Sequence, residues 1–192
     1  MARATPWWSE WRADLDTGFK WPIAVGHSIA APAERVWEAI SAPGNLEACH
    51  PFCASNPVIE WPGTGSRDEI HYLNGRVYER HFEDWIEGVG YDLQIVSTGS
   101  SISFVGWRIE PIHERNSRLT ISMRPGALQH LSPLVRWAPH FLWLRPRLRS
   151  YRRSVVKGFD WHVTRGEPVP RNQFGMHPWF SAPRRAVPGP GS

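Results

Sequence analysis

Short stretches in which apolar and polar residues alternate fill the middle of this chain. Alternation places successive side chains on opposite faces of a β-strand, and the short turns between these stretches favour antiparallel pairing. Asn74-Gly75 is the strongest hairpin signal among the turns. The pattern predicts an antiparallel meander of about six or seven strands. The predicted strands are Trp21–Ala30, Val58–Trp61, Arg67–Leu73, Arg76–Ile86, Tyr91–Val96, Ile102–Ile109 and Arg118–Met123.

Apolar residues recur at helical spacing on both sides of the predicted strands. Pro32 opens a short helix that Pro43-Gly44 ends, and Asn45–His50 is predicted as a second, very short helix. Pro146 opens a final helix of about 17 residues, long enough to cross a sheet. Its predicted inner face consists of Leu148, Tyr151, Val155, Phe159 and His162, its predicted outer face of Arg145, Arg149, Arg152 and Arg153, and Gly166 ends it.

The residues that join the first strand to the first helix carry a resemblance. The run SIAAPAERVWEAIS at 28–41, followed by NLE at 45–47, resembles the N-terminal signature of the helix-grip superfamily. That superfamily, also called SRPBCC, includes START-like lipid-transfer domains and polyketide cyclase/dehydrase-like proteins. The resemblance covers roughly residues 21–164 in the order and type of elements. It implies an α+β fold in which a curved antiparallel sheet wraps around a long C-terminal helix, with a hydrophobic pocket between them.

Three segments follow from this resemblance: a Trp-rich extension at 1–20, the helix-grip domain at 21–166 and a Pro-rich tail at 167–192. The extension is expected to form a helix that packs on its own domain, or that meets lipid or a second subunit. Its apolar side consists of Trp7, Trp8, Trp11 and Leu15. In the tail, Phe174, Trp179 and Phe180 are expected to dock on the domain, with disorder from Ser181 onward.

The stretch between the last predicted strand and the final helix is dense in Leu and Trp. Pro133 and Pro139 interrupt it and Arg136 lies between them, which excludes a membrane span. We expect a lid of broken helix near the mouth of the pocket.

Composition narrows the class of protein. The 192 residues suit one domain with tails, and the net charge is +4. Two cysteines cannot form a disulfide framework, and no secretory leader is recognised, so we expect a cytoplasmic protein. Ten basic residues and no acidic residue lie between Glu114 and Asp160. This charge run predicts a solvated helix face or, alternatively, peripheral contact with an anionic membrane.

The predicted strand Arg76–Ile86 indicates a cavity wall. Both of its alternating sets mix charged and aromatic residues, whereas a sheet with one dry and one wet face sorts them. A strand that lines a pocket mixes them, because pockets combine apolar walls with a few placed polar groups. The alternative is an edge strand with ordinary surface ion pairs.

Eight residues are predicted to bind the ligand. A Tyr, an Arg and a His among them could hold a carbonyl or phenolate and move a proton, as a cyclase or dehydratase requires. The resemblance carries no catalytic motif onto these positions, so no catalytic residue is assigned. The predicted ligand-binding residues are His71, Tyr72, Tyr78, Arg80, His81, Trp107, Met123 and Tyr151.

Cys49-His50-x-x-Cys53 is the pattern that most resembles a metal site. Structural zinc sites use four ligands, and the second thiolate pair they usually need is missing from this sequence. We therefore predict two buried thiols and no metal. No phosphate-binding or dinucleotide-binding motif occurs, which predicts no cofactor. The arginines come without a DNA-binding or RNA-binding motif, which predicts no nucleic-acid partner.

The sequence therefore predicts that this protein binds or carries a small hydrophobic molecule between its sheet and its last helix. One alternative is a polyketide cyclase/dehydratase-like enzyme acting on an aromatic or polyketide substrate. Another is a module that contacts a membrane or a protein partner. The sequence assigns neither the ligand nor the oligomeric state.

Overall fold

The computed structural model describes residues 7, 11–12, 19–98 and 100–182. Within them, eight strands, numbered β1 to β8 in chain order, form one antiparallel sheet. The strands are Ile23–Ile29, Cys53–Ser55, Val58–Glu60, Arg67–Tyr72, Val77–Ile86, Gly90–Ser97, Ser100–His113 and Asn116–Pro125. The count exceeds the predicted six or seven because Cys53–Ser55, a strand of three residues between two proline-containing turns, was not expected.

The strand order places the first strand beside the last. The order is β1-β8-β7-β6-β5-β4-β2, and β3 also pairs with β4. Strands β4 to β8 form the predicted meander, and Gly75 supplies the positive φ, 85°, that the turn between β4 and β5 requires. In the register, Met123 of β8 lies between Ile23 of β1 and Val105 of β7. Strand β8 thus joins the first strand to the meander, and β6 lies at the centre of the strand order.

The helices lie before and after the meander. They are α1 (Ala33–Ser41), α2 (Leu46–Cys49), α3 (Pro133–Pro139), a π-helical turn (His140–Leu144) and α4 (Arg145–Arg165). The expected broken lid is instead a continuous lead into α4. At the junction the N–H of Arg145 bonds to the carbonyl of His140, five residues back, and the next residue, Pro146, has no N–H to donate. The π turn therefore accommodates a proline that would interrupt a regular α-helix.

Helix α4 crosses the inner face of the sheet and completes the core. The ring centroids of Trp107 on β7 and Phe159 on α4 lie 5.1 Å apart. Gly158 allows the helix to approach the end of α2, because a Cβ at this position would lie 2.0 Å from the Cys49 carbonyl oxygen. Gly166 ends the helix in the left-handed conformation, as predicted. The α+β helix-grip architecture is confirmed.

The described N-terminal residues contact the outer face of the sheet. Trp11 Nε1 donates to Asp92 Oδ2 at 3.2 Å, and Arg12 Nη1 lies 2.9 Å from Glu83 Oε2. The guanidinium of Arg108 lies 5.0 Å from the ring centroid of Trp7. For these residues the structure agrees with packing on their own domain. The other predicted members of the apolar side, Trp8 and Leu15, lie outside the described residues.

The segment after α4 runs back along the domain. The Val169 N–H donates to the Ala48 carbonyl at 2.8 Å, and Asn74 Nδ2 donates to the Trp179 carbonyl at 2.6 Å. Phe180 is buried. Ser181, which was expected to begin a disordered stretch, is also buried and donates to Asn172 Oδ1 at 2.6 Å. The rest of that stretch, 183–192, lies outside the described residues. None of the described helices has the length and apolar character needed to cross a bilayer.

Candidate functional site

A cavity of about 500 Å³ lies between the inner face of the sheet and α4. Its size falls in the range of small-molecule sites, and most of its wall is apolar. The sheet and the helix both contribute apolar side chains, among them Ile70, Leu93, Val105, Ile121, Leu148 and Val155. Exposed residues of the lining mark the mouth: Arg76, Ala127, Gln129 and Trp143.

Strand β5 explains the mixed pattern seen in the sequence. Tyr78, Arg80 and Phe82 face inward, and the pairing with β6 shifts register between Phe82 and Asp84. This bulge puts Trp85 on the inner side, where its ring stacks on Tyr91 at 5.4 Å. On the inner face of β5, the Tyr78 phenol and the Arg80 guanidinium therefore lie at the cavity. Beyond the cavity this face carries only the aromatic rings of Phe82 and Trp85.

Six of the eight predicted ligand-binding residues line the cavity: Tyr72, Tyr78, Arg80, Trp107, Met123 and Tyr151. His71 and His81 do not, because each is adjacent in its strand to an inward residue and so points to the outer face. There His71 Nε2 lies 2.6 Å from Glu69 Oε2, and His81 Nε2 lies 2.7 Å from Glu79 Oε2. The expectation that these two histidines point into the cavity is wrong. Ligand contact by the other six remains a prediction.

A hydrogen-bonded chain of three side chains forms one side of the cavity. The hydroxyl oxygens of Tyr72 on β4 and Tyr151 on α4 lie 2.8 Å apart, and Tyr151 Oη lies 2.8 Å from Nε2 of His50. The Phe52 N–H donates to His50 Nδ1 at 3.2 Å. No periodic pattern in the sequence marks His50, which follows α2 in a loop and is nevertheless 2% exposed.

The direction of these hydrogen bonds can be worked out from the proton count. Since Nδ1 of His50 accepts from the backbone, the neutral ring carries its proton on Nε2 and donates it to Tyr151. Tyr72 and Tyr151 together have two hydroxyl protons, and the hydrogen bond between the two hydroxyls uses one of them. The second has no acceptor among the described residues. The tyrosine pair therefore offers one spare hydroxyl proton at the cavity wall.

Burial keeps all three groups of this chain neutral. It raises the pKa of Tyr72 and Tyr151 well above the ordinary value for a phenol and lowers the pKa of His50 to about 3. The nearby Arg80 charge lowers the pKa of His50 further. At neutral pH the site is therefore a hydrogen-bond donor to an uncharged or developing negative oxygen, and none of these three groups is a ready proton acceptor.

Arg80 lies deep in the cavity wall and is held by a buried carboxylate. Its Nε donates to Asp68 Oδ1 at 2.7 Å, its Nη2 donates to Asp68 Oδ2, and Nη2 also lies 3.3 Å from Asn45 Oδ1. Asp68 is fully buried. The pair is therefore close to neutral as a unit, and its two parallel hydrogen bonds fix the guanidinium.

Arg152 departs from the sequence prediction, which placed it on the outer face of the last helix. It is 1% exposed and lines the cavity, with Nη1 donating to the Ile23 carbonyl. A positional signal for this burial was present, since Arg152 lies four residues after Leu148 and three before Val155, on the predicted inner face. The charge of the side chain masked that signal.

The C-terminal segment closes the cavity beside the tyrosines. The ring of Phe180 lies 4.4 Å from that of Tyr72 and 4.5 Å from that of Tyr151, measured between centroids. Phe180 thus covers the seam between β4 and α4. The expectation that this residue docks on the domain is met in the structure.

The Cys49 and Cys53 side chains are free, buried thiols. Burial raises the pKa of Cys53 to about 12 and that of Cys49 well above the ordinary thiol value, so neither is a thiolate at neutral pH. The Cys53 thiol donates to the Ser55 carbonyl at 3.1 Å, and the His50 ring is engaged on both nitrogens. Among the described residues, no group of three or more His, Cys, Asp and Glu side chains is placed to hold a metal ion.

Solved structures similar to this one share the fold at low sequence identity. The di-domain ARO/CYC BexL from the BE-7585A biosynthetic pathway matches with a TM-score of 0.61 and 15% identity, over 75% of this chain and 46% of that one. Truncated norcoclaurine synthase from Thalictrum flavum matches with a TM-score of 0.54 and 13% identity, over 76% and 94%. A putative uncharacterized protein from Bacillus thuringiensis matches with a TM-score of 0.55 and 13% identity, over 75% and 99%.

Comparison with curated protein sequences gives no match. A family model described as polyketide cyclase / dehydrase and lipid transport matches residues 22–164, which is most of the chain and includes every element from β1 to α4. This chain therefore belongs to the polyketide cyclase / dehydrase and lipid transport family.

Proposed function

We propose that this protein binds and carries a small, mainly apolar molecule that has at least one hydrogen-bond-accepting oxygen. The observation that carries the proposal is the cavity of about 500 Å³, with apolar walls and the spare hydroxyl proton of the Tyr72–Tyr151 pair on one side. Apolar walls supply affinity through burial, and a single placed donor orients the ligand. The cytoplasmic setting expected from the sequence remains part of this proposal.

The first experiment asks whether the cavity is where an apolar molecule binds. N-phenyl-1-naphthylamine, a neutral dye that fluoresces in apolar surroundings, should bind the wild-type protein. Ile95→Trp places a large ring in the cavity and should weaken binding at least ~10-fold, because the void is filled. Val77→Trp places the same ring on the exposed outer side of β5 and should leave binding unchanged. Equal binding by both variants would overturn the proposal.

The second experiment asks whether the tyrosine pair orients the ligand. 6-Propionyl-2-(dimethylamino)naphthalene carries a ketone, whereas N-phenyl-1-naphthylamine has no comparable acceptor. The double variant Tyr72→Phe/Tyr151→Phe should bind the ketone about 10-fold more weakly, the equivalent of one hydrogen bond, and the second dye equally well. An equal change for both dyes would show that the hydroxyls act on the shape of the cavity only.

An enzyme of the cyclase or dehydratase kind is the second candidate, and the same hydroxyl proton favours it. A donor in a water-poor site stabilises an enolate oxygen as charge develops on it. The structurally similar ARO/CYC and norcoclaurine synthase are named as biosynthetic proteins, which supports testing turnover here. A poly-β-ketone thioester incubated with this protein should then lose the mass of one water. A product that forms equally fast with Tyr72→Phe/Tyr151→Phe would remove this candidate.

Peripheral membrane contact is a third candidate, favoured by an exposed apolar surface on α3 and the π turn. We call it the rim surface, and it consists of Leu134, Val135, Trp137, Leu142 and Trp143. Trp143 also lines the mouth of the cavity, and the exposed Arg149 and Arg153 follow on α4. Apolar groups beside cations suit an anionic bilayer.

Vesicles that contain phosphatidylglycerol should therefore bind this protein in a salt-sensitive way, and vesicles of phosphatidylcholine alone should not. Trp137→Ser/Leu142→Ser should abolish the binding. Trp11→Phe, which changes a ring packed on the sheet, serves as the control and should retain it. Binding that survives the loss of Trp137 and Leu142 would exclude the rim surface as the contact.

A further inference from the structure

Arg152 is a buried cation with unused hydrogen-bonding capacity in the cavity wall. It is 1% exposed and lies on α4 between Leu148 and Val155, which also line the cavity. Its Nη1 donates to the Ile23 carbonyl. Its Nε and Nη2 have no hydrogen-bond partner in the described part of the chain. Buried donors are nearly always paired in proteins, so these two indicate a missing acceptor.

The charge of Arg152 is also unmatched, in contrast to those of Arg80 and Arg108. Arg80 pairs with Asp68, and Arg108 pairs with Asp92 at 2.7 and 2.8 Å. No carboxylate forms an ion pair with Arg152 among the described residues. Burial lowers the pKa of Arg152 to about 9, which still leaves it charged at neutral pH. A lone cation in an apolar wall is costly unless something neutralises it.

The two free donors lie on the same edge of the guanidinium. Arg80 shows in this structure what that edge binds, since its Nε and Nη2 donate to the two oxygens of the Asp68 carboxylate. Anions that present two oxygens side by side, such as a carboxylate or a phosphate, fit this edge with two parallel hydrogen bonds. In Arg152 the equivalent edge meets no acceptor among the described residues, and its helix neighbours Leu148 and Val155 also line the cavity.

We propose that the molecule carried in the cavity is an organic anion, and that Arg152 binds its negative group through Nε and Nη2. The ligand class is an apolar body that bears a carboxylate, sulfate or phosphate group. This inference rests on the proposed carrying function and adds the charge of the ligand to it. The tyrosine pair on β4 and α4 then contacts a second oxygen, and Arg152 distinguishes acids from neutral molecules of the same shape.

The test compares an anionic and a neutral ligand that share a ten-carbon chain. Decanoate and decan-1-ol should each displace N-phenyl-1-naphthylamine from the wild-type protein at pH 7.5, and decanoate should bind at least ~10-fold more tightly. In Arg152→Met this preference should disappear while decanol binds within about 3-fold of wild type, because the stem of Met fills similar space. Arg152→Gln, which keeps a donor for the Ile23 carbonyl, should behave in the same way and covers the case in which the Met variant does not fold.

Two further variants separate Arg152 from other positive charges. Arg149 and Arg153 are exposed on α4 and do not line the cavity, so Arg149→Gln and Arg153→Gln should keep the preference for decanoate within about 3-fold. A wild-type protein that binds both ligands equally, or a preference that survives in both Arg152 variants, would overturn the inference and leave the carrying function intact. Failure of the dye and of both ligands to bind would instead overturn the carrying function itself.

Discussion

The hydroxyl oxygens of Tyr72 and Tyr151 lie 2.8 Å apart and join a strand of the sheet to the helix that crosses it. The Tyr151 oxygen also accepts a hydrogen bond from His50 Nε2. Among the described residues it therefore has two hydrogen-bond partners, whereas the Tyr72 oxygen has one. Removing the hydroxyl of Tyr151 therefore breaks two hydrogen bonds, whereas removing that of Tyr72 breaks one. The predictions below begin with this inequality.

Tyr151→Phe should destabilise the fold more than Tyr72→Phe. The first change leaves a buried imidazole N–H without an acceptor and should lower the free energy of unfolding by about 1–3 kcal/mol, whereas the second removes one hydrogen bond and should cost about 0.5–1.5 kcal/mol. Urea unfolding followed by tryptophan fluorescence measures both. Tyr78→Phe, at a half-buried phenol whose hydroxyl oxygen lies 3.5 Å from Arg76 Nη1, is the control and should change little. The reverse order would refute the assigned proton directions.

His50 should make the fold less stable in acid. The folded protein keeps this ring neutral with a pKa of about 3, whereas in the unfolded chain it takes up a proton near pH 6.5. Between these two values the unfolded state binds the extra proton, so the free energy of unfolding falls by about 1.4 kcal/mol for each pH unit of acidification. Burial also lowers the pKa of His140 and His177, so the wild-type slope contains more than one histidine.

The contribution of His50 is therefore measured as a difference. Urea unfolding at several pH values between 7.5 and 4 should give a slope for His50→Gln that is smaller than the wild-type slope by about 1 kcal/mol per unit. His113→Gln, at an exposed position, should leave the slope unchanged. Parallel slopes for wild type and His50→Gln would show that His50 is not kept neutral by the fold.

Asp68→Asn should be strongly destabilising although Asp68 does not line the cavity. It removes the charge that matches buried Arg80, and breaking a buried pair on one side costs about 3–5 kcal/mol. Adding Arg80→Gln removes the stranded cation and should recover part of the loss. Arg35→Gln, which breaks an exposed pair with Glu38, should cost about 0–1 kcal/mol in the same denaturation assay. A double variant that is less stable than Asp68→Asn would contradict this account.

Gly158→Ala should destabilise this protein, against the usual helix preference. Alanine is favoured over glycine inside a helix by about 1 kcal/mol. Here the new Cβ would lie 2.0 Å from the Cys49 carbonyl oxygen, so the helix has to move away from α2. We expect a loss of about 2–4 kcal/mol in thermal and urea unfolding. Ser150→Ala, at an exposed position of the same helix, should be neutral or slightly stabilising.

Local signals in the sequence were enough for most elements of the fold. Turn and capping residues in the sequence predicted three positions that the structure has: the Asn74-Gly75 turn, the start of α1 after Pro32 and the end of α4 at Gly166. Strand β7 was predicted to end at Ile109, before Pro111, but continues to His113. β6 pairs with β7 only as far as Arg108, so beyond that residue one edge of β7 is unpaired. Pro111, which has no N–H to donate, lies on this edge and is tolerated there.

The site was harder to predict, because its key facts depend on how elements meet. Alternation alone does not show that Arg80 faces inward and His81 outward. The choice of face depends on the register with the neighbouring strands, which the sequence does not specify. The position of Arg152 on the inner face of α4 could be read from spacing, but its charge argued for the surface. The role of His50 depends on Tyr151, which lies 101 residues further along the chain.

The π turn at His140–Leu144 has a consequence for the rim of the cavity. A π turn contains one residue more than an α turn between bonded backbone groups, so it shifts everything before it by roughly 100° around the axis relative to a regular helix. Deleting any one residue of this stretch would restore even winding and swing Leu134 and Trp137 through that angle. The number of residues in this turn, and not their hydrophobicity, therefore decides which side chains of the rim surface are exposed to solvent.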